Sequence, residues 1–300
     1  MSEGSKKGCL LCPRECGADR ELSSGVCSVP PGGIMVARAS LHIWEEPCIS
    51  GERGSGTIFF SGCPLRCVYC QNREISRGEA GKLIDGERLS EIMLSLEERG
   101  AHNINMVTPT HYTDRIITAV KLARERGLSV PIVWNTSGYE RVDTLKKLEG
   151  TADIYLTDFK YMSPLLAKRY SSAEDYPSVA AAALREMVSQ QGRIVCDDDG
   201  MMQRGVIVRH LVLPGCIEDS KAVIGHVYST YGDSVILSLM SQYTPMEGLE
   251  GFPELQRKLT PEEYDEVVDY AADMGVENAF IQEGEAASES FIPPFDLEGV

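Results

Sequence analysis

From Thr57 onward, short apolar runs rich in β-branched residues alternate with stretches where apolar side chains recur every three or four positions. The runs are TIFFSG from Thr57, NINMV from Asn103, PIVWNTSG from Pro131, ADIYLTDFK from Ala152, GVIVRHLVLPG from Gly205 and SVILSLM from Ser234. Between them, Leu89, Ile92, Met93 and Leu96 keep helical spacing, as do Ile116, Val120 and Ala123. This is the pattern of βα units around a parallel sheet, and six repeats predict an α/β fold with a partial or complete (β/α) barrel. A last helix is predicted to begin near Pro261, because Thr260-Pro261-Glu262-Glu263 supplies an N-cap threonine, a proline at the first helical position and a capping-box glutamate. Before Thr57 the chain is rich in Gly, Cys and Pro, which predicts a small appended module. After Gly275 comes one candidate strand, NAFIQ, and then an acidic tail expected to lie over the surface. The pattern divides the chain into a Cys-rich module and lead-in at 1–56, a barrel core at 57–245, and a C-terminal helix and tail at 246–300.

Composition adds constraints on partners. The chain has 300 residues, 43% hydrophobic and 25% charged, which suffices for one large α/β domain. Its 29 basic and 45 acidic side chains leave a formal charge of −16, so its field repels polyanions and disfavours nucleic acid as a main ligand. No run approaches the roughly 20 apolar residues of a membrane span, and MSEGSKKGCLLC lacks a signal peptide's apolar stretch, so the reading is cytoplasmic with no membrane partner.

Ten cysteines then need a reason, because the cytosol keeps thiols reduced. Cys48, Cys196 and Cys216 are scattered and read as small core residues. Cys63, Cys67 and Cys70 lie within eight residues in SGCPLRCVYCQN, directly after the strand TIFF, at the kind of loop where α/β barrels carry their chemistry. Three thiolates so placed can hold an iron-sulfur cluster and leave one of four irons open. A methionyl amino and carboxylate group can chelate that iron, which would hold the sulfonium of S-adenosyl-L-methionine (SAM) against the cluster for one-electron cleavage. Tyr69 would then present an aromatic face near the adenine. The competing reading, structural zinc, wants four ligands, and no fourth cysteine or histidine follows nearby.

Cys63-x3-Cys67-x2-Cys70 with an aromatic residue at 69 resembles the radical SAM signature. Over about residues 9–245 the chain also resembles the pyruvate formate-lyase activating enzyme group, especially its PflX-like relatives, through CLLCPRECG, WEEPCISG, GSGTIFFSGCPLRCVYCQN and LMSQYTP. The resemblance implies a 4Fe-4S cluster on the three cysteines, reductive cleavage of SAM to a 5′-deoxyadenosyl radical, and an oxidoreductase fed by reduced flavodoxin or ferredoxin.

Further residues are candidates for holding SAM. Alternation in ADIYLTDFKYM puts Asp158 and Lys160 on one face at the strand's C-terminal end. They are either a solvated ion pair or, as the resemblance implies, a lysine on the SAM carboxylate and an aspartate at a cation site. Arg209 sits among aliphatic residues and reads in three ways, as a partner of the SAM carboxylate, as half of a salt bridge with a buried Asp or Glu, or as an arginine pointing outward between helices; its neighbour His210 reads as a packing histidine. In WNTSG, Thr136 resembles the family's Thr-x-Gly turn, suited to ribose hydroxyls or a carboxylate, although the segment also reads as an ordinary loop. Where most radical SAM enzymes carry a Gly-Gly-Glu-like stretch, this chain has Val107-Thr108-Pro109-Thr110-His111-Tyr112, so backbone carbonyls, helped by Thr108 or Thr110, would have to receive the methionyl amine. His111 reads as a substrate-side acid or base, or as a cap or surface residue.

At the N-terminus, Cys9-x2-Cys12-x3-Cys16-x10-Cys27 resembles a small metal knuckle, flanked by Lys6, Lys7, Arg14 and Arg20. Four thiolates suit a structural zinc or a second iron-sulfur cluster, and a pair of disulfides is disfavoured by the redox setting. Three functions follow: activation of a glycyl radical enzyme, which the resemblance implies; modification of a small metabolite or peptide with a second cluster; or, outside catalysis, a metal-binding scaffold.

Overall fold

A computed structural model describes residues 8–282 and 293–300. Its strands, in chain order, are β1 (Ile34–His42), β2 (Ser55–Phe60), β3 (Lys82–Ile84), β4 (Ile104–Val107), β5 (Ile132–Thr136), β6 (Ile154–Asp158), β7 (Val195–Cys196), β8 (Met202–Leu211), β9 (Ile236–Met240) and β10 (Ala279–Ile281). The sheet runs β10-β9-β8-β6-β5-β4-β2-β1-β3. Every pairing from β2 through β10 along this path is parallel, whereas β1 is antiparallel to both β2 and β3. The six apolar runs and NAFIQ are the parallel strands, so the α/β expectation stands. The barrel is partial: β10 and β3 end the sheet without pairing to each other among the described residues.

Alternation along each strand builds two different faces. Ile58, Phe60, Ile104, Met106, Ile132, Trp134, Tyr155, Val206, Val208, Leu237 and Leu239 face the helices in the main core. Val133, Ile154, Leu156, Ile207 and Ile236 face inward, where they pack on Cys48, Ile49 and Met202. A short helix, Pro47–Ser50, brings Cys48 and Ile49 inside and closes the barrel floor. Above this apolar floor the inward positions become polar: Asn105, Asn135, Asp158, Arg209 and Ser238 all lie near the C-terminal ends of parallel strands.

The structure departs from the sequence expectations in places. The segment before Thr57 is not wholly an appendage, since β1 joins the main sheet; a register shift between Val36 and Arg38 breaks the alternation that would have marked it. Cys196 is exposed on the β7–β8 hairpin, not core, and Cys216 is half-buried next to the helix Ile217–Tyr231, while Cys48 is buried as expected. The helix Pro261–Asp273 carries the full capping box. Lys6, Lys7 and residues 283–292 of the acidic tail lie outside the described residues. Residues 293–300 lie against β1: the Leu297 and Ala39 amides donate to the Ala37 and Glu298 carbonyls, and Arg38 pairs with Asp296 and Glu298.

Candidate active site

After β2 the chain turns at Gly62, whose φ of +88° and surroundings both demand glycine. A Cβ there would lie 2.2 Å from Val29 and 2.6 Å from the Cys27 carbonyl. The turn delivers Cys63, Cys67 and Cys70 to one cavity of about 230 Å³, which Thr108, Asn135, Thr136, Ser137, Asp158 and Lys160 also line. Burial and the neighbouring sulfurs push the Cys63 thiol up to about 12. Burial and Cys67 push Cys70 to about 11, with Ser76 and Lys160 opposing. Three cysteines on one cavity are the donor type an iron-sulfur cluster takes, and iron would have to ionise these thiols and draw them together, because among the described residues their sulfurs are not grouped as a preformed metal site. The Ser171 hydroxyl donates to Cys67 Sγ at 3.1 Å.

Asp158, the last residue of β6, accepts from Lys160 Nζ at 2.6 Å and lies 3.5 Å from Arg209 Nε. Burial raises its pKa, but Lys160 and then Arg209 outweigh burial and hold the carboxyl below its usual range. Burial likewise opposes the Lys160 ammonium and loses to Asp158, so the lysine stays charged beside the cysteines. The pair is part-buried rather than a solvated surface pair, so it is far less screened than an exposed one.

The β4 and β5 loops are tied together beneath the cavity. Thr108 has a φ of +58°, a strained conformation for a β-branched residue that costs about 1–3 kcal/mol, and its amide donates to the Asn135 carbonyl at 2.8 Å. Thr110 and Thr136 both donate their hydroxyls to Glu140 Oε1 at 2.5 Å. Glu140 is 1% exposed, and burial raises its carboxyl to about 7 against the pull of those hydroxyls. Gly138, at φ +76°, sits where a Cβ would approach the Asp158 carbonyl to 2.2 Å, which locks the WNTSG turn onto the end of β6. Thr136 therefore lines the cavity while its hydroxyl is engaged by Glu140.

Arg209 is answered within the protein. Its guanidinium donates to Glu45 Oε2 at 2.9 Å and to Asn135 Oδ1 at 2.5 Å, and Glu45 Oε1 accepts from Asn105. The buried-salt-bridge alternative is thus the one seen, with carboxylates supplied by WEEPCISG. Tyr69 is buried away from the cavity; its hydroxyl is 2.6 Å from that of Tyr161, and its ring packs edge-on to Tyr170 and Tyr243. His111 is neither a cap nor a surface residue, and it does not line the cavity. It is buried and its Nε2 donates to the Ser61 carbonyl at 2.8 Å, bracing the cysteine loop from behind. His210 packs as expected, with Nδ1 donating to Phe159 and Nε2 accepting from Ser220.

The N-terminal cysteines gather behind this loop. A Cβ on Gly25 would lie 3.0 Å from Cys16 Sγ and 3.5 Å from Cys27 Sγ, and Arg20 donates to Cys27 Sγ at 3.2 Å. Burial raises Cys12 to about 12, whereas backbone amides and Arg20 outweigh burial to lower Cys16. Among the described residues, no three His, Cys, Asp or Glu side chains are grouped as the ligands of a metal ion. Arg14 fastens the segment to the cysteine loop, donating to the carbonyls of Pro64, Ser171 and Ser172 while stacking 5.2 Å from the Tyr139 ring.

Sequence reasoning missed Glu45, Glu46, Glu140 and the clamp made by Arg14. Glu45 and Glu46 precede a proline that marks a helix start, a local signal that carries no information on which way their side chains point. Glu140 had none, because its partners are 4 and 30 residues away.

The sequence model of the Radical SAM superfamily matches residues 57–196. An uncharacterized protein of Methanocaldococcus jannaschii is 27% identical over 271 residues, 88% of this chain and 74% of its own. A Haemophilus influenzae protein provisionally named a glycyl-radical enzyme activating enzyme is 29% identical over 115 residues, 37% of this chain and 43% of that one. Among solved structures, Streptococcus suis SuiB bound to S-adenosylmethionine aligns at 12% identity and a TM-score of 0.47, covering 74% of this chain and 48% of its own. This chain thus spans about half the length of that protein. A domain of the Bacteroides vulgatus pyruvate-formate lyase-activating enzyme aligns at 12% identity and a TM-score of 0.40, over 57% of this chain and 92% of that domain. No helix among the described residues is long and apolar enough to cross a membrane.

Proposed function

We propose, from the match of residues 57–196 to the sequence model of the Radical SAM superfamily, that this chain binds a 4Fe-4S cluster on Cys63, Cys67 and Cys70 and cleaves SAM reductively. When bound, the cluster supplies the electron that splits SAM into methionine and a 5′-deoxyadenosyl radical. The observation that carries the reading is the convergence of the three thiols, Lys160, Asp158 and the β4 and β5 loop ends on one cavity at the C-terminal edge of a parallel sheet. Lys160 presents an ammonium for the SAM carboxylate, and Asp158 keeps that ammonium charged and oriented. Thr108, held in its strained conformation, and Asn135 offer polar and backbone groups to the methionyl amine, while the Thr136–Gly138 turn borders the ribose. Tyr69, buried in its aromatic cluster, supports the cysteine loop in this reading instead of stacking on adenine.

The test is anaerobic reconstitution with iron and sulfide, addition of dithionite and SAM, and chromatography of the products. 5′-Deoxyadenosine should form, and alanine at Cys63, Cys67 or Cys70 should abolish both the cluster absorbance and the product. A scaffold without catalysis predicts no 5′-deoxyadenosine.

For the substrate, activation of a glycyl radical enzyme is supported by the Haemophilus influenzae relative, over 37% of this chain. Abstraction of a glycine hydrogen by the deoxyadenosyl radical would give 5′-deoxyadenosine and a glycyl radical on the partner protein. An electron paramagnetic resonance doublet on a candidate partner is the expected signal; its absence with every glycyl radical enzyme of the host would instead direct attention to a peptide or metabolite. Reduced flavodoxin or ferredoxin would supply the electron. Cys9, Cys12, Cys16 and Cys27 are proposed to hold zinc or a second cluster, and analysis separates the two: about four irons and one zinc per chain, or about eight irons.

A further inference from the structure

A second cavity, about 510 Å³, lies beside the first at the β9–β10 end of the sheet. Trp44, Glu45, Arg209 and Gln242 line both, so the two spaces adjoin across the barrel mouth. The outer cavity is lined on its apolar side by Met240, Phe280 and Ile281, and Glu46 also lines it.

Glu46 differs from the other charged groups around it. Glu45 is bonded to Arg209 and Asn105, Asp158 is bonded to Lys160, and Arg209 is bonded to Glu45 and Asn135. Glu46 is 7% exposed, its Oε2 is buried with no hydrogen-bond partner, and its Oε1 stands 4.0 Å from Arg209 Nε, beyond hydrogen-bond reach. A buried carboxyl left this way is unfavourable unless another group completes it. Local charge agrees. Two cations, Lys160 and Arg209, face three carboxylates, Glu45, Glu46 and Asp158. Burial first, and then the neighbouring Glu45, push the Glu46 pKa up, with Arg209 and the Ser238 hydroxyl opposing. An entering anion would meet this excess of carboxylates and an arginine whose two terminal nitrogens are already engaged, with only its buried Nε left without a hydrogen-bond partner. An entering cation would restore the balance and pair the free oxygen.

We infer that this cavity is a substrate subsite in which Glu46 receives a cationic nitrogen, an ammonium or guanidinium group borne on a hydrocarbon chain that lies along Met240 and Phe280. The inference rests on the radical SAM reading, and gives that reading a substrate class: an amine-bearing small molecule or a peptide with a basic side chain, whose aliphatic carbons would extend toward the cysteine loop.

The test is calorimetric titration of the anaerobically reconstituted full chain, saturated with SAM, with n-butylammonium and with the tripeptide Gly-Lys-Gly. n-Butanol and Gly-norleucine-Gly serve as neutral counterparts. At least one cationic probe should bind ten times or more tightly than its neutral counterpart, and which one does so separates a small amine from a peptide side chain. E46Q should erase that preference, and its urea unfolding curve checks that the fold is kept. Equal binding of charged and neutral probes, or no binding of either cationic probe, would overturn the inference. Because 5′-deoxyadenosine formation is read separately in the same preparation, failure of amine recognition and failure of SAM cleavage are distinguishable.

Discussion

Replacing Glu140 by glutamine tests how the fold holds the candidate site, and the size of the effect can be worked from the structure. Glu140 is fully buried, accepts from Thr110 and Thr136 on the same oxygen, and leaves Oε2 unpartnered; the Trp134 indole nitrogen nearby is also outside hydrogen-bond geometry. Its carboxyl is raised from 4.5 to about 7, burial being the main cause. At about 1.4 kcal/mol per pH unit, that separation is worth roughly 3 kcal/mol. The sign follows from proton counting. Between 4.5 and about 7 the native state holds a proton on Glu140 that the unfolded chain has released. The contribution is therefore fully present below 4.5, falls as pH rises and is gone above about 7. Glutamine keeps the accepting oxygen for both threonines and never ionises, so it should remove this slope. Urea unfolding of the wild type and E140Q at pH 5 and pH 8.5 provides the assay. The wild type should lose about 2–3 kcal/mol relative to the variant across that interval. Parallel pH dependences for the two proteins would refute the reasoning, since other titrating groups cancel in the comparison.

Two buried histidines oppose Glu140 over an overlapping pH window, so their effect is read in the E140Q background. Burial lowers His111 and His210 from 6.5 to about 4, so each contributes stability that is present above 6.5 and lost as pH falls toward 4; the unfolding midpoint in urea should drop over that window, and a flat profile there would contradict their burial as neutral rings. G138A forces a Cβ to within 2.2 Å of the Asp158 carbonyl at a φ of +76°. It should destabilise the fold by about 2–4 kcal/mol and weaken SAM binding by equilibrium dialysis, and wild-type behaviour in both would dismiss the turn as a lock. K160A removes the ammonium and leaves Asp158 with Arg209 at 3.5 Å. Iron content should be unchanged while the Kd for SAM rises tenfold or more, about 1.4 kcal/mol; an unaltered Kd would take Lys160 out of the site.

The cysteine loop and the parallel strands were legible because their signals are local. Spacing within eight residues describes the donor set, and continuous apolar runs describe strands covered on both faces. Asp158 and Lys160 were legible for the same reason, since strand alternation alone puts them on one face at one end. Strand β1 was hidden because a register shift breaks its alternation within a Gly- and Pro-rich stretch. Arg209 showed only that it needed an anion; which anion depended on residues 164 positions away in sequence.

By itself, the sequence determined the chemistry on offer: three thiols on a strand-end loop, a carboxylate and an amine two residues apart, and the order of βα units. These depend on neighbours along the chain, and backbone geometry translates them directly. Only the tertiary structure decided how the groups are used. It turned Tyr69 into the aromatic core, and it gave Arg209 to Glu45. It made Glu140 the clamp between two loops, set Arg14 behind the cysteines, and left one carboxyl oxygen of Glu46 buried without a hydrogen-bond partner. Those assignments depend on which distant side chains share a low-dielectric space, where an unanswered charge or hydrogen bond is too unfavourable to leave standing, and that proximity exists only once the sheet has curled.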